Sequence, residues 1–178
     1  MGEVSSRVPL SALDLLGLAE QRKVARLDLA VAGYSGVVYV CDLTTAQQQR
    51  IVGTPRKGTK VRQNTVEKWT EFDLADMSNN AGAKFLEACL VTDKEGGAAL
   101  ERAFAAVEED GEPVEYVVFP ASELVSMFDL MAAELKKPHA AREKLEQFPN
   151  AVTSLIVKTM RQLSGMAEDA VEEKKESY

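Results

Sequence analysis

The sequence has few of the residues on which most catalytic and metal chemistry depends. Its 178 residues include one histidine, His139, two cysteines, Cys41 and Cys89, and one tryptophan, Trp69. A zinc site needs Cys, His or carboxylate ligands at defined spacing, and a Ser-His-Asp triad would have to use this single histidine. His139 stands between Pro138 and Ala140 with no companion ligand nearby in the sequence, so it reads as a surface residue in a connection between helices. The two cysteines give no disulfide framework. Each lies inside an apolar run and reads as a small buried side chain of a protein kept in a reducing compartment. Positive charge is also scarce: 21 Lys and Arg stand against 28 Asp and Glu, a net charge of −7 and a pI of about 4.9. That balance speaks against nucleic acid or an anionic membrane surface as the main partner, because both are bound through Lys and Arg. No apolar run approaches the roughly 20 residues that span a bilayer. The opening "MGEVSSRVPLSALDLLGL" lacks the basic n-region and sustained apolar h-region of a signal peptide. The expectation is a soluble, intracellular protein with no nucleic acid and no membrane partner.

The remaining chemical motifs fail on order or context. "GTPRKGTK" (53–60) resembles a phosphate-binding loop, but Thr59 precedes Lys60 where the lysine should come first, and a predicted helix rather than a strand leads into it. The acidic clusters at Glu108-Glu109-Asp110 and Glu172-Glu173 read as solvated charge. The stretch from Glu108 to Glu115 lacks the alternating spacing of a calcium loop. These readings predict no catalytic residue, no metal and no cofactor, hence a protein that is not an enzyme.

What the chain does have is apolar periodicity. Hydrophobic residues make up 46%, enough for a packed core. Ser11 is positioned to cap a short helix over "ALDLLGLAEQ". "KVARLDLAV" alternates as a half-buried strand does, "GYSG" (33–36) is turn chemistry, and "VVYVCDL" is rich in β-branched residues; together they predict a β-hairpin. Thr44 or Thr45 begins a helix that Gly53 and Pro55 end. A polar loop follows, with Arg56, Lys57, Lys60 and Arg62 as candidate partner-binding residues. Helices are predicted over "NNAGAKFLEACLV", "GGAALERAFAAVEED", "PASELVSMFDLMAAELKK" with Ser122 as cap, and "AAREKLEQF", with "VEYVVF" as a short strand or extended connection. The last helix, "PNAVTSLIVKTMRQLSGM", puts Val152, Leu155, Ile156, Thr159, Met160, Leu163 and Met166 on one face. Met127, Met131, Met160 and Met166 lie in the last strong helices. Methionine at helical spacing is more often core packing than an adaptable binding surface, because every such helix needs a buried face; these four are the further partner-binding candidates.

The predicted fold class is therefore α+β and mostly α: an N-terminal β-hairpin followed by a bundle of about five to six helices. Residues 1–53 hold the first helix, the hairpin and the first packed helix; 54–66 form a flexible basic loop; 67–166 form the helical body; and 167–178 are a charged, disordered tail.

The order of three short motifs carries a resemblance. They are Val38-Val40-Leu43-Thr44 stepping from strand to helix, Ala88-Leu90-Val91-Asp93-Gly96, and Leu163-Ser164-Gly165-Met166 near the end. In this order and spacing the chain resembles the tail assembly chaperones of long-tailed bacteriophages, from the start to about Asp93 and again from about Arg142 to Met166. Residues 97–140 depart from the pattern and read as an insertion or an elaborated middle. The resemblance implies a non-enzymatic protein of the host cell cytoplasm, absent from the mature virion. Such a protein binds the tape measure protein and helps tail tube protein subunits assemble around it; self-association is a further partner reading. The competing expectation is a minor structural virion protein of the tail or the head-to-tail joint.

Overall fold

The computed structural model describes residues 8–52, 82–108 and 111–166. The basic loop with Arg56, Lys57, Lys60 and Arg62, the Trp69 segment and the charged tail lie outside the described residues. In chain order the elements are α1 (Ala12–Leu18), β1 (Gln21–Asp28), β2 (Val37–Cys41), α2 (Thr45–Val52), a helix over 82–89 (α3), β3 (Leu90–Asp93), α4 (Ala98–Val107), β4 (Val117–Pro120), β5 (Leu124–Ser126), α5 (Met127–Leu135), α6 (Pro138–Glu146) and α7 (Asn150–Leu163).

The fold is α+β, but the expected N-terminal hairpin followed by a helical bundle is wrong. The strands are interspersed with the helices and form one central five-stranded antiparallel sheet in the order β4-β1-β2-β3-β5. β1 and β2 do pair, Val24 opposite Cys41 through Asp28 opposite Val37. Yet β1 ends earlier than its alternation suggested: Asp28 caps a 3-10 turn over Leu29–Ala32, and Gly33 closes it in the left-handed conformation. The predicted helix over "PASELVSMFDLMAAELKK" is also corrected. Its first half is a 3-10 turn and strand β5, and α5 begins only at Met127, capped by Ser126 rather than Ser122.

One connection shapes the sheet. β4 and β5 occupy opposite edges, yet only Ala121–Glu123 separate them. In a flat sheet the edges would stand about 19 Å apart, four strand spacings. Four residue steps reach at most about 14 Å, so the sheet is rolled. On one face all five strands meet α4: Val117 and Phe119 from β4, Val24 from β1, Cys41 and Tyr39 from β2, Val91 from β3 and Leu124 from β5 surround Leu100 and Phe104. On the other face Val40 and Leu90 pack with Leu86 and Cys89 of α3, Leu145 of α6, and Val152, Ile156 and Met160 of α7. The alternation of Val40 with Cys41, and of Leu90 with Val91, sends successive side chains to the two cores.

The three motifs singled out in the sequence are joints of this fold. The Leu43 N–H donates to the Ser164 hydroxyl at 2.9 Å, tying the β2-to-α2 step to the end of α7. Asp93, 2% exposed, ends β3 and turns its carboxylate onto the start of α4. It accepts from the backbone N–H groups of Glu95 (2.7 Å), Gly97 (3.0 Å) and Leu100 (2.8 Å). Gly97 has φ +105°, and a Cβ there would sit 3.2 Å from the Tyr39 ring, so glycine is required at this close approach.

Candidate functional site

A groove of about 430 Å³ opens where α2, α3, α5 and α6 converge. Two caps set its walls. Gln47 N–H donates to Thr44 Oγ1 (3.1 Å) while Thr44 N–H donates to Gln47 Oε1 (3.0 Å), a reciprocal box that fixes the start of α2. Gln47, Arg50 and Ile51 then fall at i, i+3 and i+4 and face the groove together. Opposite them, the Asp129 N–H donates to Ser126 Oγ (3.4 Å), so the first turn of α5 presents Phe128 and Asp129.

The floor is apolar. Ile51 and Phe128 are half-buried and pack against the larger core, with Ala88 between the walls. The rim is charged. Arg142 of α6 pairs with Glu87 of α3 at 3.1 Å. Arg50 and Lys84 are exposed and make no ion pair among the described residues. With Asp129 on the facing wall the rim carries charges of both signs, and an apolar floor between charged walls is what an amphipathic helix would need.

Of the two readings of the methionines, core packing and a partner surface, their positions fit the first. Met160 is fully buried, and Met127, Met131 and Met166 are partly buried and pack against the same cluster. Ile51 and Phe128 of the groove floor pack against that same cluster. His139, expected in a connection, lies on α6 at the second helical residue; it is exposed and 3.6 Å from Glu143.

Elsewhere the ionisable groups serve the fold. Arg26 on β1 bridges Glu101 (2.7 Å) and Glu108 (3.2 Å) of α4 and lies over the Phe104 ring at 5.1 Å. The Tyr39 hydroxyl donates to Glu101, and burial together with that carboxylate pushes the phenol well above its ordinary range. Both cysteines are buried and unpaired. Burial pushes the Cys41 thiol up to about 12 and raises Cys89 as well, so neither is a thiolate near neutral pH. Among the described residues no group of His, Cys, Asp and Glu is placed to hold a metal ion, and no helix is long and apolar enough to cross a membrane.

Sequence reasoning missed the groove residues Arg50, Lys84, Phe128, Asp129 and Arg142. A signal for half of it was present: Ser126-x-x-Asp129 is a capping pattern that marks the true start of α5 and so the face that Phe128 and Asp129 share. No signal in the sequence brings α2, α3 and α6 to that face. No family model matches the chain, and neither does any curated protein or solved structure.

Proposed function

We propose that this protein is a non-enzymatic tail assembly chaperone of a long-tailed bacteriophage, which holds a helical segment of the tape measure protein while tail tube subunits assemble around it. The observation that carries the reading is the groove: an apolar floor of Ile51, Ala88 and Phe128 between helices, rimmed by Arg50, Lys84, the Arg142–Glu87 pair and Asp129. Helix-in-groove capture uses such a floor for the apolar anchors and such a rim to orient the charged flanks. The order of the three motifs adds support of another kind. The hydrogen bonds at Leu43, Ser164 and Asp93 make those motifs determinants of the fold, so their order speaks for shared architecture rather than for a shared partner.

The test is co-expression with the tape measure protein of the same phage. The expected result is that the tape measure protein stays soluble and co-purifies, and that Arg50→Glu with Lys84→Glu lowers its recovery while leaving the chaperone folded. Failure with the intact partner overturns the proposal. Stoichiometric presence of this chain in purified virions also overturns it, in favour of a minor structural protein of the tail or the head-to-tail joint.

A further inference from the structure

We draw no further inference here: the strongest candidate, the exposed apolar patch of Val31, Tyr34 and Val37 at the tip of the β1–β2 turn, carries nothing because nothing in the structure shows what covers it.

Discussion

α1 and α7 are both helices rich in large apolar residues, and they sit in opposite situations. α1 has a reciprocal capping box and buries nothing. α7 has no side-chain cap at all, yet Val152, Ile156 and Met160 are buried at i, i+4 and i+8. The pair separates two contributions that sequence reading tends to merge. A cap satisfies orphan N–H groups and sets where a helix begins. Burial of an apolar stripe decides whether the helix is held by the body. α1 has only the first, α7 only the second, and α4 combines them: Asp93 accepts from the N–H groups at its start, and Leu100 and Phe104 are buried.

That contrast can be broken in order of expected effect. Ile156→Ala removes a fully buried side chain from the core between α7 and the sheet, and should destabilise the protein by about 3–4 kcal/mol, read from the denaturant midpoint. A cost below about 1 kcal/mol would mean that α7 is held more loosely than its burial shows. Asp93→Ala strips three backbone N–H groups of their acceptor and should cost about 2–3 kcal/mol. It should also change the acid response. Burial acts to raise the Asp93 carboxyl, but the N–H bonds from Leu100, Gly97 and Glu95 outweigh it and hold the group below its ordinary value. Such a carboxylate contributes its full stability above the unfolded pKa of about 3.9 and loses it as the pH falls through the lower folded value. The wild type should therefore weaken below about pH 4, and the variant should show less of that slope in a pH series of melting temperatures.

Smaller effects sharpen the same comparison. Ser164→Ala deletes the acceptor for the Leu43 N–H and should cost about 1 kcal/mol, which tests how far the end of α7 is fastened to the start of α2. Ser11→Ala removes the α1 cap. Because no residue of α1 is buried among the described residues, global stability should move by less than about 0.5 kcal/mol, while amide exchange in Leu13 to Leu16 should accelerate. A large loss of global stability from Ser11→Ala would show that α1 is coupled to the body after all.

The legible part of this fold was whatever is local. The caps of α1 and α2, the β1–β2 pairing and the stripe of α7 could be read from spacing alone. The sheet could not, for two identifiable reasons. Leu90–Asp93 is buried at every position, so it shows no alternation, and it continues directly from the apolar helix over 82–89. Leu124 and Val125 fit the helical stripe of α5 as well as they fit a strand; what places them in β5 is pairing with Asp93 and Thr92, more than thirty residues away. The groove was illegible for the same reason, since its walls come from helices that only the rolled sheet brings together. In α7, Leu155 shares the predicted face but is only partly buried, while Val157, off that face, packs against the core.

The short passage from β4 to β5 has a kinetic consequence. β1, β2 and β3 can associate as three adjacent antiparallel strands before either edge is in place. Both edges are then supplied by one segment of ten residues, 117–126, which must find Gln21–Val24 on one side and Val91–Asp93 on the other. Neither edge has a strand of its own that could arrive independently. Bringing residue 24 to residue 117 closes a long loop, and that entropy is recovered only when the second edge seats as well. Refolding should accordingly pass through a three-stranded sheet with both edges open, and the protection of both edges against amide exchange should appear together.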